Sequence, residues 1–368
     1  MKNKRLLVLV NGNYVSGAER MTFEILKGLK DSGNSVHCIV SGWNDGNFIK
    51  HLRMIGIEYT VIKLGWYYLT QIKWSFDSLV HYPGAVLQFL RTREKFKYDY
   101  IYVTSFRHIA LLYPFLKNNI IYHVHDNNAK KRQSRLFLKR VDKKVVRYIA
   151  VSNYVKDDLV ICGISPEKIE VIYNGIKMQP IFNRIKENRF TIGIVGRILP
   201  TKGHDMVLEA FKILRERGRN IQLYIVGSGN EKFINDLEQK IKLYNLTEYV
   251  FWRGYKDTLS EIYDGIDVVV APSTRIEAFG LMACEANMFS IPAIVTNRGG
   301  QAEIIEDGFN GFVVDPLDPV DIADKLQILY NDPELLSRMG RNGRQRVIEK
   351  FSVEQMNIHF QALIQNLE

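Results

Sequence analysis

Two carboxylates eight positions apart, Glu277 and Glu285, frame the run Glu277-Ala278-Phe279-Gly280-Leu281 just after the apolar stretch at 267–271. Carboxylates bind sugar hydroxyls, and a helix start offers amides and a positive dipole end to phosphate. Read as helical from 277, the eight steps rise about 12 Å, the reach from a sugar across a diphosphate to a ribose. The pair is therefore expected to grip hydroxyls at both ends of one nucleotide-sugar. A lone glutamate such as Glu285 is ordinarily a helix-face residue with a partner, so the composite carries the reading. A second loop, Gly196-Arg197-Ile198-Leu199-Pro200-Thr201-Lys202-Gly203, follows the apolar stretch at 191–195. An arginine fork with a lysine point charge suits a diphosphate.

Three further loops carry weaker signals. Asn11-Gly12-Asn13-Tyr14-Val15-Ser16-Gly17-Ala18-Glu19-Arg20 leads from the first apolar stretch into a helical pattern and is placed to touch a phosphate, or is an ordinary turn. Val226-Gly227-Ser228-Gly229-Asn230 looks like a dinucleotide loop without its third glycine, which makes it a poor cofactor fingerprint. His123 and His125, in Tyr122-His123-Val124-His125-Asp126, share one face of a strand. No third metal ligand accompanies them, so no metal is expected there.

Gly196-Arg197 with Lys202-Gly203, then Glu277-Ala278-Phe279-Gly280-Leu281 with Glu285, then Gly299-Gly300-Gln301-Ala302-Glu303 and Asp307-Gly308-Phe309-Asn310-Gly311 resemble the group-one, or family-four, retaining glycosyltransferases. Ser16-Gly17-Ala18-Glu19-Arg20, Val151-Ser152-Asn153 and Val171-Ile172-Tyr173-Asn174-Gly175 extend the resemblance over nearly the whole chain. It implies the GT-B fold, with two Rossmann-like α/β domains facing a central cleft. Arg197 and Lys202 would neutralise the leaving diphosphate, Glu277 would bind donor-sugar hydroxyls and Glu285 the ribose. The backbone at Phe279, Gly280 and Leu281 would hold phosphate oxygens, with Gly17 and Gly196 also at the donor. His125, nearer the strand exit than His123, would contact the sugar near its reacting centre. Ser16 stands where many members have glycine, and Ala278 replaces a frequent glycine; neither change removes a charge.

Short apolar strands alternating with helical stretches must position these loops, a pattern that predicts parallel sheets wrapped by helices. Candidate strands cover 5–10, 36–40, 100–103, 120–124, 148–151 and 168–172, then 191–195, 222–226, 250–253, 267–271, 293–296 and 311–314. The predicted domains are 1–176 on the acceptor side and 177–352 on the nucleotide-sugar side, with a boundary at 174–188. A last helix at 353–368 has no strand to follow it, and one option is a return to the first domain.

The 368 residues suffice for two cores, and the net charge is +10. Residues 1–176 hold 27 Lys and Arg against 14 Asp and Glu, whereas residues 177–368 hold 23 against 26. Nine of those cations lie at 130–147, opposed only by Asp142; a solvated helix face accounts for such a run as readily as a partner does. The irregular aromatics Trp66, Tyr67, Tyr68 and Trp74 are more readily core than lipid-facing. No uncharged apolar run reaches the roughly 18 residues that span a bilayer. Three scattered cysteines, Cys38, Cys162 and Cys284, fit a reducing cytoplasm. The expected partners are a nucleotide-sugar donor, a glycan or lipid-phosphate-linked acceptor and an anionic membrane surface, without nucleic acid, cofactor or metal. The expected location is cytoplasmic, at the inner face of the membrane. The rivals are a nucleotide-sugar epimerase on the same fold and a non-catalytic binding protein.

Overall fold

The computed structural model describes residues 3–10, 17–65, 72–126, 132–180 and 189–367. The calls on Asn11–Ser16 of the first loop, on Trp66, Tyr67 and Tyr68, on Lys130 and Lys131, and on the Trp74 side chain lie outside it. Two compact units form, Met1–Gly175 with Val353–Glu368, and Ile176–Ser352.

The first unit runs β1 (Arg5–Val10), α1 (Gly17–Asp31), β2 (Ser35–Ser41), α2 (Asn47–Met54), β3 (Glu58–Ile62), α3 (Ile72–Phe96), β4 (Tyr100–Val103), α4 (Phe106–Leu112), β5 (Ile120–Val124), α5 (Arg132–Val141), β6 (Val145–Ala150), α6 (Asn153–Ile161) and β7 (Ile169–Val171). Its sheet is parallel, in the order β3-β2-β1-β4-β5-β6-β7. Leu6 to Val10 are all buried, because helices cover both faces of a central parallel strand and every position must be apolar. β3 escaped the sequence reading: at the sheet edge only Ile62 of its five residues is buried, so the segment shows no apolar run.

The second unit runs β8 (Phe190–Val195), α7 (His204–Glu216), β9 (Ile221–Val226), α8 (Glu231–Leu243), β10 (Val250–Gly254), α9 (Leu259–Tyr263), β11 (Val268–Ala271), α10 (Leu281–Met288), β12 (Ala293–Thr296), α11 (Gln301–Ile304), β13 (Gly311–Val314), α12 (Pro319–Asn331) and α13 (Pro333–Lys350). The order is β10-β9-β8-β11-β12-β13, again parallel. Ile192, Ile194, Leu223, Ile225, Val268 and Val270 pack with Leu208, Phe211 and Leu326 from the helices.

The Asp307–Gly311 motif serves this core. Fully buried Asn310 donates to Asn287 Oδ1 at 2.6 Å and to the Ile304 carbonyl at 3.2 Å, and accepts from the Glu306 amide at 2.7 Å. A buried amide with its donors and acceptor occupied fixes one loop path.

The last helix, α14 (Val353–Gln365), belongs to the first unit. Phe360 meets the ring of Tyr102 edge-on at 5.4 Å. Asn357 fills the space over Gly28 of α1, where an added Cβ would lie 2.5 Å from its amide carbon.

Candidate active site

In the second sheet β8 lies beside β11, and the chain winds away in opposite directions from these two strands. That switch point opens a crevice at the carboxyl ends of the strands. The loops leaving β8 and β11 carry Lys202 and Glu277, and the two side chains meet there: Lys202 Nζ lies 2.6 Å from Glu277 Oε1. Both are about a quarter exposed. Gly203 keeps the loops together, with φ at +74° and an ideal Cβ that would sit 2.1 Å from the Pro272 carbonyl oxygen.

Glu277 is fixed from several sides. Ser273 Oγ donates to Oε1 at 2.7 Å. Thr296 Oγ1 at the end of β12 donates to the Ser273 carbonyl at 2.8 Å, and the buried Gln301 amide donates to Thr296 Oγ1 and carbonyl at 2.8 and 2.9 Å. The Glu277 amide donates to the Arg298 carbonyl at 3.2 Å, and its own carbonyl accepts from Gly300 at 2.8 Å. Side-chain reading missed Ser273, Thr296 and Gln301. Gln301 lies inside a quoted motif, Ser273 stands four residues before Glu277 on the same loop, and Thr296 offers only its place at a strand end.

This anchoring corrects one expectation. Residues 277–280 are not helical: Glu277 bridges Gly299, Gly280 caps α10 at φ +105°, and the helix begins at Leu281. The 12 Å rise argued from eight helical steps therefore does not apply, because long-range pairing to the exit of β12 holds the first half of the run in a loop. No side chain caps α10, and the Phe279 ring is buried edge-on against Phe351. Glu285 lies on the first turns of α10, where buried Tyr263 donates to Oε2 at 2.9 Å. Burial and the Glu285 carboxylate push the Tyr263 hydroxyl well above its ordinary range, so it stays a donor.

Gly196 and Arg197 leave β8 with Arg197 exposed and outside every ion pair among the described residues. The Gly227-Ser228-Gly229 loop packs directly against them. A Cβ at Gly227 would lie 1.9 Å from the Gly196 carbonyl oxygen, and one at Gly229 2.0 Å from that of Ile198. These glycines permit backbone contact between two loops, which accounts for the dinucleotide-like spelling.

In the first unit Gly17 opens α1. His123 and His125 fall on one side of β5, with ring centroids 4.1 Å apart. His123 is buried, and its Nδ1 lies 2.6 Å from the Tyr102 hydroxyl. The buried Nε2 of His125 has no hydrogen-bond partner among the described residues. Desolvation lowers His125 to about 4, so its ring is neutral at pH 7 and able to exchange hydrogen bonds with hydroxyls. The described residues hold no group of three or more metal-ligating side chains.

Burial also holds His108 and His204 to about 4 and His123 well below its ordinary value. The unfolded chain takes up protons below about pH 6.5 that these rings refuse until about pH 4, so stability falls as pH falls across that window. Three of the four rings belong to the first unit, which is expected to unfold first on acidification. Hydrogen exchange between pH 7 and 4.5 checks this; equal loss of protection in both units is the contrary result.

Comparison with known proteins accords with this geometry. Residues 177–346 match the model for "Glycosyl transferases group 1", and residues 15–179 that for "Glycosyltransferase Family 4". The chain belongs to the group-one, family-four glycosyltransferases of the GT-B fold. It is 34% identical over 190 residues to the capsular polysaccharide biosynthesis glycosyltransferase CapM of Staphylococcus aureus, covering 52% of this chain and 49% of CapM. It is 26% identical over 294 residues to the poly(ribitol-phosphate) alpha-N-acetylglucosaminyltransferase of Staphylococcus aureus, covering 78% of this chain and 55% of that one. The chain thus spans about half the length of these curated relatives. Anabaena Alr3699/HepE, solved in complex with UDP and glucose, shares the fold at TM-score 0.80 and 20% identity, covering 99% and 100% of the two chains.

Proposed function

We propose that the chain is a retaining glycosyltransferase. It moves a hexose or N-acetylhexosamine from a nucleotide-sugar, UDP-linked first and GDP-linked second, to a glycan or lipid-phosphate-linked acceptor of cell-surface polysaccharide or glycoconjugate synthesis. The observation that carries the reading is the meeting of Lys202 and Glu277 at the β8/β11 switch point, with Arg197 exposed on the same loop as Lys202. Capsular polysaccharide synthesis by CapM, the phosphate-rich acceptor of the second relative and the UDP bound by HepE support the acceptor and donor classes.

In this reading Arg197 and Lys202 take the diphosphate, joined by backbone at Phe279, Gly280 and Leu281 and by the positive end of α10. Gly196 and Gly17 give phosphate close access to backbone. Glu277 holds sugar hydroxyls, Glu285 the ribose, and neutral His125 the sugar near the anomeric carbon. The bond from that carbon to the diphosphate breaks through an oxocarbenium-like transition state, and the cations stabilise the charge gathering on the leaving group. The acceptor hydroxyl attacks from the same face, passing its proton to the departing phosphate. Lys and Arg occupy the role a metal fills elsewhere, so transfer is expected to persist in EDTA; loss of activity in chelator with recovery on Mg²⁺ or Mn²⁺ would contradict this.

Thermal shift against a panel of UDP- and GDP-sugars tests the donor, since a ligand at 100 times its Kd stabilises the folded state by about 2.7 kcal/mol. Glu285→Gln is expected to weaken that shift and raise the donor KM; an unchanged shift assigns Glu285 to Tyr263 alone. Incubation with one nucleotide-sugar separates the rivals: an epimerase converts it, a binding protein leaves it intact, and a transferase hydrolyses it slowly.

The basic first half faces an anionic partner in the same reading. Arg132, Arg135, Lys139 and Arg140 are exposed on α5, and each cation near an anionic bilayer contributes roughly 1 kcal/mol. The enzyme then works at the cytoplasmic face of the membrane as a peripheral protein, with no nucleic acid involved. No helix among the described residues is long and apolar enough to cross a membrane.

A further inference from the structure

The buried end of the His123–His125 pair is tied to the backbone of α1. Thr22 of α1 is buried, and its hydroxyl donates to the Ala18 carbonyl one turn back at 2.8 Å. A hydroxyl has one proton, so the Thr22 oxygen meets its other neighbour, the Tyr102 hydroxyl of β4, as an acceptor. Tyr102 is fully buried and keeps its phenolic proton, because burial pushes that group well up. That proton is committed to Thr22, so the 2.6 Å contact between the Tyr102 oxygen and His123 Nδ1 is made with the proton on nitrogen. The reverse order would set the Thr22 and Tyr102 oxygens against each other with no proton between them. His123 is therefore the Nδ1–H tautomer, and its buried Nε2, which has no hydrogen-bond partner among the described residues, carries a bare lone pair.

His125 follows on the same side of β5, its ring centroid 4.1 Å from that of His123 with 41° between the planes. It is less buried than His123, yet its Nε2 is likewise shut away from solvent and without a partner among the described residues. A neutral imidazole carries one proton, on one nitrogen or the other. A lone pair on His125 Nε2 would put two bare acceptors in one buried patch, an arrangement that low dielectric makes costly. A proton on His125 Nε2 sets a donor beside the His123 lone pair instead. The lone pair of His125 then falls on Nδ1.

We infer that Tyr102 and His123 are positioning residues that lock His125 as the Nε2–H tautomer, so that it meets the donor as a hydrogen-bond acceptor at Nδ1. This rests on the proposed place of His125 at the donor sugar and narrows its role. A lone pair takes a hydroxyl proton and repels phosphate oxygens, so His125 selects a sugar with a free hydroxyl at the contacting carbon. Two-bond proton–nitrogen spectra of the full-length chain, labelled with ¹⁵N at the histidine rings, report each tautomer at pH 7, with His123→Gln and His125→Gln used for assignment. Nδ1–H is expected for His123 and Nε2–H for His125. Thr22→Val frees the Tyr102 proton to turn to His123 Nδ1, and both tautomers should reverse. In that variant kcat/KM for the nucleotide-sugar should fall about tenfold, while the thermal shift with the nucleoside diphosphate, which lacks the sugar, stays unchanged. Tyr102→Phe, the second variant, takes the acceptor from His123 Nδ1 and should leave both rings as mixtures of tautomers. Reversed tautomers with an unchanged rate uphold the lock and remove His125 from the sugar, a failure of the proposed role alone. An Nε2–H His123 in the wild type, or a His125 tautomer indifferent to both variants, overturns the inference. A loss of rate with wild-type tautomers overturns it as well, because packing damage alone has that signature.

Discussion

Lys202→Ala and Glu277→Ala are each expected to lower transfer about 100-fold or more while leaving thermal unfolding close to wild type. Loss of one group aimed at developing charge has this order of effect on rate. The fold survives because both side chains are partly exposed and their ion pair is screened by solvent, so its contribution to stability is small. The contact between them adds a sharper expectation: the double variant should lose little beyond the worse single one, since groups that act as a unit are not additive. Lys202→Arg should recover part of the charge effect without the 2.6 Å contact to Glu277. Steady-state rates with a UDP-sugar decide the matter. Near-wild-type turnover in either alanine variant removes the site assignment, and a full multiplication of the two losses removes the idea that they form one unit.

Gly203→Ala should damage both stability and activity. Alanine at φ +74° costs roughly 1–2 kcal/mol for the left-handed backbone. Its Cβ would also press on the Pro272 carbonyl oxygen at 2.1 Å, and overpacking typically costs about 1–3 kcal/mol more. The neighbour is backbone, so no side chain can swing aside. A loss of about 3 kcal/mol corresponds to a fall of roughly 10 °C in the Tm of a domain this size. The loops bearing Lys202 and Glu277 would separate, so the rate should drop even at temperatures where the variant is folded. A variant with wild-type Tm and rate shows that the two loops tolerate separation and that their close approach plays no part in the site.

Where the sequence could be read, a local cause set the structure. The segments 5–10, 100–103, 120–124, 293–296 and 311–314 are strands at the predicted bounds, because parallel strands that are buried along most of their length advertise themselves as apolar runs. β3 lacks that signal because one residue of five is buried. The site charges were legible as types in motifs, but their mutual geometry was not. Glu277 is held through Ser273 by Thr296, and Thr296 by Gln301, partners that lie on separate loops and converge only once β11 and β12 pair. The misplaced helix start has the same origin, since Gly280 and the bridge to Gly299 are tertiary constraints that helical periodicity cannot register. Gly227 and Gly229 mislead in the opposite sense: their local spelling resembles a cofactor loop, while the space they vacate is filled by the carbonyl oxygens of Gly196 and Ile198.

The return of α14 to the first unit sets the order in which the chain can mature. On the ribosome the second unit has all its residues once Ser352 has emerged, whereas the first unit, begun at the N-terminus, still lacks the helix that covers Tyr102 and Gly28. The half synthesised first is thus completed last, and until Val353–Gln365 docks, part of its core remains open to solvent or to a chaperone.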